Sequence, residues 1–345
     1  MKTNNILAFI GIVLILIYSV IIVVNANEVN VILDSSFGYE DNYDSIRQEA
    51  RYVDIEGDYV YAVNGEGNFQ IIDISNSESP KLAGDYDTGG KADIFEISDD
   101  YAYLVYSECS GNASLNVIDI SNPSSPYLAG SYDLDLTVDD VGVRGIESSD
   151  GCLCLTTYSG LVILDINNPR SPVFVSRYDT LSAPDVAVEG DHACIVSEID
   201  GLWLVNISDP SSPDLVGTCD MIDYARSIAV SDGYAYVAGY NGSLKVVDIH
   251  TPSSPTIVGN FDNVGSVQEV VVKDDYAYLS CPNQLFVVDI SNPLSPAVVG
   301  GYATSTFSFG LDVEDNHVCI TDEYNSLSIL RTEILNPATY QNCEK

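Results

Sequence analysis

The sequence predicts an all-β protein: a seven-bladed β-propeller of four-stranded blades, its ring closed by an N-terminal strand that completes the seventh blade. Three observations predict it. One octapeptide recurs as DISNSESP from Asp73, DISNPSSP from Asp119, DINNPRSP from Asp165, NISDPSSP from Asn206, DIHTPSSP from Asp248 and DISNPLSP from Asp289. Its steps are 46, 46, 41, 42 and 41 residues, and a degraded copy follows 42 later at Arg331. Each interval holds four strand-like segments, and each end of the chain shows a strand or a gap that only the other end can match.

Residues 27–41 come first, as EVNVILDSSFGYED (Glu28 to Asp41), which resembles an outer strand such as PYLAGSYD (Pro126 to Asp133) yet has no blade of its own. Blades run from about residue 50. A representative unit reads SIAVSDG (Ser227 to Gly233), YAYVAG (Tyr234 to Gly239), SLKVVDI (Ser243 to Ile249) and PTIVGNFD (Pro255 to Asp262). Alternation with period two, bounded by Gly, Pro, Asn and Asp, marks these as strands. In the repeated turn Asp ends the third strand, Asn and Ser bond nearby backbone, and the prolines limit its freedom, so the turn is scaffold rather than a catalytic ring. The last unit has Gly310 to Val313, His317 to Asp322 and Leu327 to Arg331, and then ILNPATYQNCEK offers no fourth strand. The segment at 27–41 supplies it, pairing two edges that would otherwise stay open.

The third strands read LVILDI (Leu161 to Ile166), LKVVDI (Leu244 to Ile249), LFVVDI (Leu285 to Ile290), LNVIDI (Leu115 to Ile120) and LWLVNI (Leu202 to Ile207). On these motifs the chain resembles the LVIVD-repeat family of envelope-associated β-propellers, over nearly everything from Glu28 to Arg331. The resemblance implies the propeller fold. It brings no catalytic residue set with it.

Composition narrows the partners. With 51 acidic against 13 basic residues the net charge is −38, which repels nucleic-acid phosphates and anionic lipid surfaces. Residues 1–26 read as a signal peptide or an N-terminal membrane anchor, the apolar run being Ile6 to Val24. The expected place is therefore extracellular or in the cell envelope, with membrane contact only through residues 6–24. Residues 336–345 form a C-terminal tail. Of the 8 cysteines, Cys152, Cys154, Cys194 and Cys319 occupy the tyrosine positions of YAY, and Cys219 replaces the Tyr of GSYD. They read as buried thiols in packing registers, while Cys109, Cys281 and Cys343 read as loop or tail residues.

Ligand sites in such rings lie at the mouth of the central channel. Counting back eight residues from the first position of YAY gives Arg51, Asp93, Arg144, Pro184, Arg226, Gln268 and Phe309, and the next register adds Tyr52, Asp185, Ser227 and Glu269. Arginine suits bidentate capture of an anion. The same residues also admit a structural reading, with Arg51 and Arg144 flanking Asp93, and Arg226 lying between Asp185 and Glu269. Loops between second and third strands add Tyr106, Tyr158, Tyr240 and Tyr324, with Asn64, Glu198, Asp200, Asn241, Asp322 and Glu323, a platform suited to carbohydrate or peptide. Asn112 and Asn241 lie in N-glycosylation sequons.

His192 and His317 replace the first Tyr of YAY and His250 lies in a repeat turn, so no histidine falls at the mouth. GxSxG, HExxH, phosphate-cradling glycine loops and CxxC pairs are missing. The reading is an exported cell-surface propeller, a non-catalytic binding or scaffold module for a protein, a peptide or an envelope polysaccharide, with no required cofactor. The alternative is a calcium-assisted hydrolase using Asp93, Asp185 and Glu269. A spacer in a surface layer is the third possibility.

Overall fold

In the computed structural model the described residues are 28–38, 52–63, 67–90, 92–107, 113–134, 142–180, 182–221, 224–262, 264–304, 308–322 and 326–335. The apolar run at 6–24, Arg51, Asn64, Cys109, Asn112, Glu323, Tyr324, the tail at 336–345 and Cys343 lie outside them. Among the described residues no helix is long and apolar enough to cross a membrane.

Every described element is a strand. After β1 (Glu28–Gly38) come β2 (Val53–Glu56), β3 (Tyr59–Val63), β4 (Asn68–Asp73) and β5 (Lys81–Asp87), which form one antiparallel sheet in that order. β6 (Ala92–Ser98), β7 (Tyr101–Ser107), β8 (Ala113–Asp119) and β9 (Tyr127–Leu134) form the next. β10 (Gly145–Ser149), β11 (Cys152–Thr157), β12 (Gly160–Asp165) and β13 (Val173–Asp179) repeat the pattern. So do β14 (Asp185–Glu189), β15 (His192–Ser197), β16 (Gly201–Asn206) and β17 (Asp214–Cys219). β18 (Ala225–Ser231), β19 (Tyr234–Gly239), β20 (Ser243–Asp248) and β21 (Thr256–Asp262) follow. β22 (Glu269–Lys273), β23 (Tyr276–Cys281) and β24 (Gln284–Asp289) lead to β25 (Ala297–Ala303). β26 (Ser308–Glu314), β27 (His317–Asp322) and β28 (Ser326–Leu335) end the described chain.

The four-stranded sheets are repeated blades. Their inner hairpins use two-residue loops with left-handed backbone, such as Asp150 and Gly151 at φ 47° and 76°, or Asp232 and Gly233 at 52° and 74°. That geometry matches the right-handed twist of the paired strands. The inner strands β2, β6, β10, β14, β18, β22 and β26 contact one another in sequence, and β26 returns to β2, so they surround a channel.

The core lies between consecutive sheets rather than inside any one of them. Leu115 and Val117 pack with Leu153 and Leu164, Leu202 and Leu204 with Val237 and Val247, and Val60 and Ile72 with Cys319 and Ile329. The outer-strand aromatics Tyr86, Tyr132, Tyr178, Phe261 and Tyr302 lean on these clusters as expected. The repeated turn fills the remaining seam. A Cβ at Gly84 would lie 2.1 Å from the Pro123 carbonyl oxygen, and at Gly217 2.1 Å from that of Pro252, so each turn presses on the outer strand of the preceding sheet. Where that glycine is replaced, the Ser176 hydroxyl donates to the Pro210 carbonyl at 2.5 Å.

β1 pairs antiparallel with β28 from Glu28↔Leu335 to Gly38↔Ser326 and also runs briefly parallel to β25 at Val29↔Gly300 and Asn30↔Gly301. The two contacts merge β22–β25, β1 and β26–β28 into one eight-stranded sheet. β28 runs to Leu335, past the Arg331 end expected from its repeat, because β1 gives those residues a partner. Cys281 also departs from expectation: it ends β23 and is 1% exposed, not a loop residue. Cys154, Cys194 and Cys319 are fully buried free thiols, and burial pushes the first two up to about 12.

Candidate functional site

The mouth register is set by β-bulges. In β18 the pairing slips between Ala225 and Ser227, leaving Arg226 as the extra residue, and in β6 it slips between Ala92 and Ile94, leaving Asp93. The backbone N–H of Arg144 donates to the Thr156 carbonyl at 2.8 Å although Gly145 already opposes Thr156, and Gln268 does the same at Ser280, where Glu269 is the partner. A bulge re-aims one side chain out of the pleat. That is why Arg144, Arg226 and Gln268 line a cavity of about 940 Å³ whose wall also includes Tyr52, Pro184 and Phe309. Nothing further is described of the Asp93 side chain.

Arg144 pairs with Glu198 at 2.7 Å, bonds the Ser182 hydroxyl at 3.1 Å and lies 4.8 Å from the centroid of the Tyr158 ring. Among the described residues its ion-pair partner is thus a carboxylate of the next blade's loop. Arg226 is exposed and makes no hydrogen bond or ion pair among the described residues, although its charge reaches Glu269. Tyr158 is 50% exposed, Tyr240 58% and Tyr224 60%, whereas Tyr106 is half-buried. Glu198, Tyr224, Ala225, Arg226, Tyr240 and Asn241 enclose a smaller pocket of about 340 Å³ beside the channel. Tyr224 was not legible as a mouth residue, because the stretch before β18 carries no repeat motif.

Below the mouth the wall is acidic. Asp54, Glu96, Glu147 and Asp312 each stand five residues before the second strand of their blade, at Tyr59, Tyr101, Cys152 and His317, while Asp185, Ser227 and Glu269 stand seven before His192, Tyr234 and Tyr276. Most reach across to the next inner strand. The N–H of Ile55 donates to Asp312 at 2.7 Å, Ile97 to Asp54 at 3.2 Å, Ser148 to Glu96 at 3.1 Å, Ile228 to Asp185 at 3.0 Å, Val270 to the Ser227 hydroxyl at 3.2 Å and Leu311 to Glu269 at 2.7 Å. These bonds latch six of the seven seams around the channel, and among the described residues the seam between β10 and β14 has no such bond. A second layer repeats the device, with Gly57 donating to Glu314 at 2.7 Å and Gly233 to Glu189 at 3.0 Å. A Cβ at Gly145 would stand 2.8 Å from the Asp185 Cα and 2.9 Å from its Oδ1, so the close approach of β10 to β14 needs glycine.

Desolvation pushes the wall carboxyls upward, Glu96 to about 7 and Asp185 to about 6, against the lowering pull of their N–H donors. Glu269 and Glu147 are raised well above the ordinary range, by burial first and by neighbouring carboxylates second. Asp54 is raised by burial and by the Asp312 charge, with which it shares a carboxyl–carboxyl hydrogen bond. The turn aspartates behave oppositely: bonds from Ser75, Ser121 and Asn167 hold Asp73, Asp119 and Asp165 below the usual range. Among the described residues no three His, Cys, Asp or Glu side chains converge as a metal-ligand set.

Comparison with known proteins supports this architecture. The profile of the LVIVD repeat matches residues 48–88, 89–134, 153–180, 182–221, 223–263 and 264–304. No curated protein sequence matches. Among solved structures, the WD40 β-propeller domain of Doa1 superposes with a TM-score of 0.69 at 14% identity, over 88% of this chain and 97% of that one. The computationally designed Ika8 protein superposes with a TM-score of 0.61 at 10% identity, over 84% of this chain and 98% of the design. At such identities the likeness carries the fold alone.

Proposed function

The chain belongs to the LVIVD-repeat family, and on that premise we propose that it is a seven-bladed propeller working outside the membrane as a non-catalytic binding or scaffold module, with its ligand seated on the channel mouth. The count takes the eight-stranded sheet as two blades, β22–β25 and β26–β28 with β1, joined at the short parallel contact. Export through residues 1–26 is part of the same reading, and the partner it favours is a protein, a peptide or an envelope polysaccharide.

One observation carries the choice of a binder. Tyr158, Tyr224 and Tyr240 are exposed around an opening that also holds Arg226, which has no hydrogen bond or ion pair among the described residues, a cluster that packing of the ring does not need. The carboxylates that a hydrolase would use have another task, since Asp185 and Glu269 accept the backbone N–H groups of Ile228 and Leu311.

The test is a thermal-melt screen of the purified protein against peptides, polysaccharide fragments and calcium, at low and high salt. A ligand at about 100 times its dissociation constant adds on the order of 2.7 kcal/mol to folding. The expected hit disappears in a Tyr158→Ala, Tyr240→Ala double variant that melts normally on its own. Ester or glycoside turnover that vanishes in Asp185→Asn while the fold persists would replace this reading with the enzyme.

A further inference from the structure

We propose that the small pocket between Tyr224 and Tyr240 is a saccharide subsite that takes a single sugar ring bearing a carboxylate, within an otherwise uncharged glycan. The inference rests on the mouth being a ligand surface and names its chemistry. The Arg226 guanidinium is exposed at the pocket and has neither a hydrogen bond nor an ion pair among the described residues, so its planar fork is available to a carboxylate. It is aimed there by the bulge between Ala225 and Ser227.

The rest of the lining suits a sugar ring. Tyr224 and Tyr240, at 60% and 58% exposure, offer flat apolar faces with a polar tip, which match the C–H face and the hydroxyl rim of a pyranose. The Asn241 amide and the Glu198 carboxylate add a donor and acceptors for hydroxyl groups. Tyr224 is held at φ 46°, a conformation costly for a tyrosine, and its carbonyl accepts the N–H of Tyr240 at 3.1 Å, which ties the two aromatic positions together before any ligand arrives. A volume of about 340 Å³ is at the small end for ligand pockets, enough for one ring and its substituents.

Charge sets the second half of the specificity. A chain of net charge −38 repels a polyanion at long range, so a densely charged polymer is disfavoured even though one carboxylate is welcome at Arg226. The ligand is therefore sparsely acidic, with one acid ring among neutral ones.

Isothermal titration of the purified protein tests this with an oligosaccharide of alternating glucuronic acid and glucose, its carboxyl-reduced counterpart, and a triglycine peptide with a free C-terminal carboxylate. The expected result is binding of the acidic saccharide that weakens on the order of tenfold to a hundredfold on carboxyl reduction or in Arg226→Ala, a charge-assisted bond being lost in either case. Tyr240→Ala weakens it as well, and near-ultraviolet circular dichroism checks that both variants stay folded. Equal binding of the reduced saccharide, or binding indifferent to Arg226→Ala, overturns the proposal. Preference for the triglycine carboxylate also overturns it but leaves the mouth as a binding surface. Binding of any screened ligand that is lost in Tyr158→Ala and kept in Arg226→Ala does the same.

Discussion

Asp185 stands at the seam between two blades and combines two demands. Its carboxyl accepts the N–H of Ile228 at 3.0 Å from the next blade and that of its neighbour Val186 at 2.9 Å, yet burial raises it to about 6 despite both bonds and the nearby Arg144 charge. The folded value lies above the unfolded one, so the contribution to stability is full below the unfolded pKa of about 4 and is lost as pH rises through about 6. Asp185→Asn keeps an acceptor and removes the ionisation. Urea unfolding should therefore show this variant near wild type at pH 5, where the parent carboxyl is protonated, and more stable than the parent at pH 8, where the parent buries a charge. Asp185→Ala leaves the Ile228 N–H without its acceptor and should cost about 1–3 kcal/mol at both pH values. An Asn variant that follows the parent's pH dependence would remove Asp185 from this role.

At the scale of the element, the repeated turn and the outer strand of the preceding blade form one joint. The turn's proline carbonyl approaches so closely that a Cβ at Gly259 would lie 2.0 Å from Pro293, against 2.1 Å for Gly217 and Pro252. Gly217→Ala should lower stability by about 1–3 kcal/mol through overpacking, read as a fall in the urea midpoint at unchanged slope. Gly217→Ser is the informative companion, because Ser176 already occupies this register and donates its hydroxyl to Pro210. It should recover part of the loss. If alanine and serine were equally tolerated, the turn would not be seated on the strand as tightly as the distances imply. This joint also separates what the sequence could disclose from what it could not. The octapeptide spacing and the strand missing after Arg331 sufficed for blade boundaries and ring closure, since each depends on local period and turn chemistry. The mouth ring of Arg144, Arg226 and Gln268 followed from one aligned register. The carboxylate wall did not, because the acidic position moves from seven residues before the second strand, at Asp185 and Glu269, to five before it, at Asp54, Glu96, Glu147 and Asp312. Period-two pleating puts both positions on one face, so following alternate residues along β2, β6 and β10 would have found them. The partner of Arg144 was hidden for another reason: Glu198 belongs to the loop of the next blade, and only the packing of consecutive blades brings it within 2.7 Å.

For the molecule as a whole, two populations of carboxylate pull stability in opposite directions with pH. Wall groups such as Glu96, at about 7, and Asp185, at about 6, bind protons more readily folded than unfolded, so their contribution declines as pH climbs through 6 to 7. Turn groups such as Asp73, Asp165 and Asp248 are held low by bonds from Ser75, Asn167 and His250, so their contribution declines as pH drops below the usual carboxylate range. The turn groups lie at the surface, where solvent screens them, and the wall should dominate. Stability is then expected to peak at mildly acid pH, between about 4 and 6, and to fall toward pH 8. Long-range repulsion adds to that fall, since 51 acidic residues face 13 basic ones. Salt separates the two causes. Added sodium chloride screens repulsion among surface charges and should raise the melting temperature at pH 8, but it reaches carboxyls inside the channel far less. The remaining slope between pH 5 and pH 8 in high salt should therefore persist in the parent and flatten in a Glu96→Gln, Asp185→Asn double variant. A slope that vanishes with salt alone would assign the whole effect to the acidic surface and deny the channel wall any part in it.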